Sequence, residues 1–305
     1  MDLQHELNFN YVSIDDINDV EFNTASIKLN VLRLDKIHPV VSGNKWFKLK
    51  YHLQQAIKNN CASVVTFGGA FSNHILATAY CCNKQNISCT GFIRGEEPAH
   101  YSQTLLDAKA LNMQLIFLNR EDYANKKSEI KVNKSVYFIA EGGYGETGAK
   151  GAAEILDFVQ HLSDYDYIIC ACGTGTMLAG IANAGLSNQQ YIGISVMKNN
   201  FSLQDEMLLL VNDEAKSRVK ILHDYHFGGY AKYTQALIDF MNKIYQTHKL
   251  PLDFVYTAKA LYAIYNLTEK KYFKEGSKVL FIHSGGLQGN RSLGKKLINE
   301  SNNIV

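Results

Sequence analysis

Three short apolar runs end in glycine, and these endings constrain the fold of the 305-residue chain more than any other feature. Ser63-Val64-Val65-Thr66-Phe67 meets Gly68-Gly69, Tyr167 to Ala171 leads through Cys172 to Gly173, and Val279 to His283 meets Ser284-Gly285-Gly286. Short apolar runs stopped by turn residues read as buried strands. Further strands are predicted at Ile27 to Leu34, Ile87 to Ile93, Gln114 to Leu118, Val136 to Ala140 and Tyr191 to Val196. Helical spacing predicts helices over Lys45 to Lys58, Asn73 to Asn83, Ser102 to Leu111, Tyr233 to Tyr245 and Ala258 to Leu267. Strand and helix alternate with short polar connections, the pattern of an α/β fold with mostly parallel sheets covered by helices on both faces.

A cluster of Gly142, Gly143, Gly145, Gly148 and Gly151 interrupts the alternation and reads as a hinge or a loop that approaches a ligand. Ala153 to Leu162 follows it as a predicted amphipathic helix. Two α/β domains dividing near this cluster are therefore expected.

Composition narrows the partners. Hydrophobic residues make up 46% of the chain, charged residues 20%, and the net charge is +2. That balance gives no reason to expect nucleic acid or an acidic surface. Lys126, Lys127 and Lys131, interleaved with Glu129 and Asn133, read as solvated surface, as do Lys295 and Lys296. No secretory signal or membrane-length apolar stretch is visible, so a cytoplasmic protein is expected. The six cysteines show neither Cys-x-x-Cys spacing nor a zinc-like histidine partner, so they read as buried free thiols, and no metal site is expected.

The glycine-ended strands carry the chemistry. Gly173-Thr174-Gly175-Thr176 follows a strand and opens a helix, so backbone N–H groups converge where the helix dipole is positive. This is an anion site suited to phosphate. It lacks the Gly-Lys-Ser/Thr of a nucleotide loop and the full Gly-x-Gly-x-x-Gly of a dinucleotide fold, which weighs against a kinase or dehydrogenase. Gly68-Gly69-Ala70-Phe71-Ser72-Asn73 repeats the device with a polar helix cap. Because ligands gather outside the carboxyl ends of parallel strands, the three endings predict one shared cleft. Lys45 sits in Ser42-Gly43-Asn44-Lys45, a turn that places its amine at the mouth of a cleft. Partly desolvated, that amine becomes a nucleophile for aldehydes. A phosphate cradle beside such a lysine fits pyridoxal 5'-phosphate.

The chain resembles the 1-aminocyclopropane-1-carboxylate deaminase and D-cysteine desulfhydrase family, among the pyridoxal enzymes similar to the tryptophan synthase β subunit (fold type II). The resemblance runs from Arg33-x-Asp35 through Gly43-Asn44-Lys45, Lys48-Leu49, Ser72-Asn73-His74 and Val255-Tyr256-Thr257-x-Lys259 to Ile282-His283-Ser284-Gly285-Gly286. It implies a larger cofactor-binding domain of residues 1–46 plus 150–305 and a smaller domain of residues 47–149, with the cofactor in the cleft between them. Lys45 would be the Schiff-base lysine and general base, and Asn73 would bond the cofactor's ring hydroxyl. Gly173, Thr174, Gly175 and Thr176 would hold its phosphate, and Ser284 would meet its pyridine nitrogen. Ser72 would sit by the substrate carboxylate and Tyr256 would face the substrate. Tyr230, in Phe227-Gly228-Gly229-Tyr230, is the candidate second active-site tyrosine, with Lys232 the alternative. Thr257, implied as a further cofactor-binding residue, stands where cyclopropane deaminases carry Glu. Small amino-acid substrates and a homodimer are implied as well.

Trp46-Phe47 replaces the family's Thr-Arg after the lysine, and Leu76 replaces an expected Arg. A neutral hydroxyl at Ser284 leaves the ring nitrogen unprotonated, a weaker electron sink that suits β-elimination better than ring opening. The expected activity is accordingly α,β-elimination of the D-cysteine desulfhydrase kind. The alternatives are cyclopropane deamination and a catalytically weak cofactor-binding protein. Trp46 is expected to wall the cleft, Lys48 and Lys50 to be helix-surface charges, and His74 and His283 to be structural. Substrate choice is expected to lie with Trp46, Leu76, Thr257 and Ser284.

Overall fold

The structure, a computed structural model, describes residues 3–129 and 135–298. Lys131 and Asn133 lie outside the described residues, as do the side chains of Lys127 and Glu129. The strands, in chain order, are β1 (Ile14–Ile17), β2 (Lys28–Arg33), β3 (Ser63–Gly68), β4 (Ser88–Arg94), β5 (Met113–Leu118), β6 (Val136–Ile139), β7 (Tyr167–Cys172), β8 (Gln190–Ser195), β9 (Val219–Leu222) and β10 (Lys278–His283). The helices are α1 (Val20–Thr24), α2 (Asn44–Lys58), α3 (Asn73–Lys84), α4 (Gln103–Ala110), α5 (Arg120–Glu129), α6 (Glu146–Ala153), α7 (Thr176–Ala184), α8 (Ser202–Leu208), α9 (Asp213–Lys216), α10 (Gln235–His248) and α11 (Thr257–Glu269).

Two sheets form. The larger runs β1-β2-β10-β7-β8-β9 and the smaller β5-β4-β3-β6. Every pairing is parallel except β1 with β2. Central strands are apolar throughout because both faces are covered. In β10, Val279 and Phe281 join the core beneath α10 and α11, whereas Leu280 and Ile282 join the core shared with α2, α6 and α7. That second core continues into the smaller sheet through Val64, Ile75, Cys89 and Met113. A third cluster of Phe67, Phe92 and Tyr123 covers the sheet's other face. Among the described residues, no helix is long and apolar enough to cross a membrane.

The cysteines are free, and all but the half-buried Cys61 are buried. The strands that escape sequence inspection are β1 and β9, the two edges of the larger sheet. Their short sequences, Ile-Asp-Asp-Ile and Val-Lys-Ile-Leu, carry the charges edge strands tolerate.

One sequence expectation is corrected. The helix expected over Ala153 to Leu162 lies earlier, as α6, and gives way to 3₁₀ turns at Glu154–Phe158 and Leu162–Asp164. Gly148 and Gly151 are thus helix-interior residues, despite their poor helical propensity. Packing decides this. A Cβ on Gly151 would sit 1.8 Å from the Phe47 carbonyl oxygen, and one on Gly148 would sit 2.0 Å from the Gly143 oxygen. Only glycine lets α2 and α6 approach this closely. The expected domain boundaries at 46/47 and 149/150 both fall inside continuous helices, α2 and α6.

The α2–α6 contact is testable. Alanine at an exposed helical glycine gains about 1 kcal/mol. Here overpacking against a backbone carbonyl reverses the sign, so Gly151→Ala is expected to lower unfolding free energy by about 1–3 kcal/mol. A urea midpoint that stays fixed or rises would show that the contact does not need glycine.

Candidate active site

Lys45 enters the site through a backbone clamp. Gly43 adopts φ +59°, and a Cβ there would lie 1.9 Å from the Ser284 carbonyl oxygen. The Asn44 N–H donates to that oxygen (3.3 Å), the Gly43 N–H to the Leu34 oxygen (3.0 Å) and the Gly286 N–H to Ser42 Oγ (3.2 Å). The turn before α2 is thereby fixed on the end of β10. That end is itself anchored. His283 Nδ1 lies 3.2 Å from the buried Asp35, which makes a bidentate pair with Arg33, and His283 Nε2 bonds the Pro251 oxygen at 2.8 Å.

A cavity of about 450 Å³ opens here, within the range of small-molecule sites. Strand ends build it: Gly69 and Ser72 after β3, Arg94 at the end of β4, Ala140 and Glu141 after β6, Gly173 and Thr174 after β7, and Ser284 after β10. The three glycine-ended strands therefore share one cavity. Lys45 lines it, 9% exposed, donating to Asn44 Oδ1, with its Nζ 5.8 Å from the Tyr256 ring centroid. Burial pushes its amine down to about 8, and Asp253 acts in the opposite sense.

Tyr230 and Tyr256 both face the cavity, their rings 6.3 Å apart edge to face. Lys232, the alternative to Tyr230, is exposed and does not line the cavity. Burial raises both phenols, Tyr230 to about 12 and Tyr256 well above its ordinary value. Both stay protonated donors at neutral pH.

Thr257, Thr176 and Asn73 are nearby but do not line the cavity, whereas Ser72 and His74 line it and also bond within the protein. Thr257 is fully buried, with its hydroxyl on Asp253 Oδ1 (2.8 Å). Thr176 is buried and bonds Thr174 across 2.9 Å between hydroxyls, and Gly175 (φ +74°) caps α7. Asn73 is buried in the first turn of α3, and its Oδ1 has no hydrogen-bond partner among the described residues. Ser72 caps α3, accepting the Ile75 N–H at 3.4 Å. His74 is structural through Thr66 (2.8 Å).

Two expectations are overturned. Lys48 is not a surface charge. It lines the cavity, buried, and donates to the Gly142 oxygen at 2.5 Å. Burial, with Lys45 nearby, holds its amine well below the ordinary lysine value. Its i, i+3 spacing from Lys45 on one helical face was the available signal. Trp46 does not wall the cleft; it belongs to the hydrophobic core, as does Leu76. Sequence reading also missed Arg94, Glu141 and Asp253, which carry no local motif. Asp253 accepts the N–H groups of Val255, Tyr256 and Thr257 (2.8–2.9 Å) and so folds the turn that presents Tyr256.

The residues fit a phosphorylated aldehyde. They offer a desolvated amine, an unpartnered buried amide oxygen at Asn73, and the α7 N-terminus with no side-chain cap. The family model described as "Pyridoxal-phosphate dependent enzyme" matches residues 21–285. The chain belongs to this family. A Thermotoga maritima protein provisionally named 1-aminocyclopropane-1-carboxylate deaminase is 31% identical, over 88% of this chain and 91% of that protein. The mitochondrial bifunctional D-cysteine desulfhydrase/1-aminocyclopropane-1-carboxylate deaminase of Arabidopsis thaliana is 30% identical, over 82% and 70%. A crystal structure of an ACC deaminase homologue superposes with a TM-score of 0.79 at 26% identity, covering 94% of this chain and 93% of that one. Pyridoxal phosphate is the cofactor of the family.

The neutral amine is the nucleophile, so the rate at which cofactor-free protein captures pyridoxal phosphate is expected to rise as pH passes through about 8. Asp253 favours the ammonium form, so Asp253→Asn is expected to move that midpoint lower. Stopped-flow absorbance reads both. A midpoint near the ordinary lysine value would contradict the desolvated amine.

Proposed function

We propose that this protein is a pyridoxal-phosphate-dependent lyase that eliminates the β-substituent of a small amino acid, with D-cysteine as the favoured substrate. Products would be a three-carbon oxo acid, ammonia and sulfide. The observation that carries this reading is the pairing of the desolvated Lys45 amine with Ser284, a neutral hydroxyl at the β10 end of the same cavity.

Lys45 would hold the aldehyde carbon of the cofactor. Gly173 and Thr174, the α7 N-terminus and Lys48 would hold its phosphate, Asn73 its ring hydroxyl and Ser284 its ring nitrogen. When bound, the cofactor supplies an electron sink for the pair left at the substrate α carbon. Lys45, about half neutral near pH 8, would take the substrate α proton at Nζ. Ser72 and the first turn of α3 orient the substrate carboxylate. Tyr230 and Tyr256, held protonated by burial, donate hydrogen bonds to the substrate side chain.

The expected division into a larger domain (1–46 plus 150–305) and a smaller one (47–149) belongs to this reading, supported by the two sheets and by a cavity lined from both. So does a cytoplasmic homodimer, for which the family resemblance and the composition speak.

Ring opening of 1-aminocyclopropane-1-carboxylate is the second reading, favoured by the name of the Thermotoga relative. Thr257, bonded to Asp253 and turned from the cavity, offers no carboxylate to assist it.

Assays of oxo acid and sulfide separate the two. D-cysteine is expected to yield pyruvate and sulfide, and Lys45→Ala to lower kcat about 10²–10⁴-fold. Release of 2-oxobutyrate from the cyclopropane amino acid, with no sulfide from D-cysteine, would reverse the preference.

A further inference from the structure

Lys259 is the buried charge that the proposed chemistry leaves unused. It projects from α11, one turn beyond Tyr256, and is fully buried. Among the described residues no hydrogen bond from its Nζ to a carboxylate is seen, although the Asp253 charge favours its ammonium form. The atom donates instead to two backbone carbonyls, His226 at 2.9 Å and Gly229 at 2.8 Å. Those carbonyls flank the turn that presents Tyr230.

The turn does not hold itself. Phe227 (φ +50°), Gly228 (φ +92°), Gly229 (φ +117°) and Ala231 (φ +53°) all lie in the left-handed region, unfavourable for Phe and Ala. Its internal bonds are few: the Gly229 N–H to the His226 oxygen (3.0 Å), the Gly228 N–H to His226 Nδ1 (3.0 Å) and the Lys232 N–H to the Gly229 oxygen (3.1 Å). Ring packing ties it to the same helix and its cap, Phe227 against Tyr262 on α11 (4.9 Å between centroids) and Tyr230 against Tyr256 (6.3 Å). A strained backbone persists only where its surroundings over-determine it.

We propose that Lys259 is a positioning residue: it latches the Tyr230 turn onto α11 and so sets the spacing of the two tyrosines that meet the substrate side chain. One helix would then fix both phenols, Tyr256 at its N-terminal turn and Tyr230 through the Lys259 amine. The latch needs donors rather than charge. Burial pushes this amine down to about 8, but a neutral amine still offers two N–H groups for two carbonyls. Methionine would fill the same volume while leaving both carbonyls unsatisfied, so the donors are what the position requires.

The inference rests on the proposed role of Tyr230 at the substrate, and its test has an arm that does not. Hydrogen exchange is measured in the cofactor-loaded protein. Lys259→Met is expected to speed exchange of the 226–232 amides by roughly tenfold or more while β7 and β8 stay protected. Lys259→Gln, which keeps an N–H₂ group, is expected to recover part of that protection. It also provides the comparison if Lys259→Met does not fold. The second arm is a kinetic double-mutant cycle. If Lys259 acts through Tyr230, KM rises roughly tenfold in Lys259→Met with the cofactor absorbance unchanged, and adding Tyr230→Phe costs little more. Unchanged exchange at 226–232 overturns the latch whatever the substrate proves to be. Accelerated exchange with additive kinetic effects overturns its link to Tyr230. Absence of any D-cysteine turnover counts against the proposed reaction and leaves the exchange arm to decide the latch.

Discussion

The close approach of Gly43 to Ser284 is the constraint on which the site depends. The two residues lie 241 positions apart by their numbering, yet only a missing side chain lets their backbones meet. The contact has two consequences. It starts α2 at a fixed point on β10, which sends Lys45 into the cavity, and it places the Ser284 hydroxyl beside the same space. The Arg33–Asp35–His283 chain stiffens the strand side of the contact, and the Ser42–Gly286 bond closes it from the loop side. The positions of amine and hydroxyl are set by backbone hydrogen bonds rather than by flexible side chains.

Burial then adjusts the chemistry. Lysines at 45 and 48 lose their water and become weaker bases, while the phenols at 230 and 256 lose theirs and become weaker acids. The same desolvation thus raises the share of free amine and keeps the phenols undissociated. Asp253 sits among these groups and opposes the trend at Lys45. It also organises the turn into α11, so one carboxylate joins the electrostatics of the lysine to the placement of Tyr256.

Much of this was legible in the chain. Apolar runs stopped by glycine marked the strand ends, and the parallel-sheet rule gathered them into one cleft around Lys45, Ser72, Gly173 and Ser284. What escaped depended on contacts between distant segments. Lys48 reads as a surface charge until α6 and the Gly142 carbonyl are laid against it. Trp46 reads as a cleft wall because its neighbour Lys45 faces the cleft, but the next residue on a helix points about 100° away, here into the core. Gly148 and Gly151 read as loop because local propensity says so, whereas the Phe47 and Gly143 carbonyls decide otherwise. Asp253, Lys259 and Arg94 have no sequence motif that announces their partners.

The central claim is that the amine held by the Gly43 turn is the one that carries the cofactor. Borohydride reduction of the cofactor-loaded protein, followed by peptide mapping, tests it most directly. The account requires the reduced pyridoxyl group on Lys45. Its appearance on Lys48 or Lys259, or a protein that takes up no cofactor to reduce, would contradict the account.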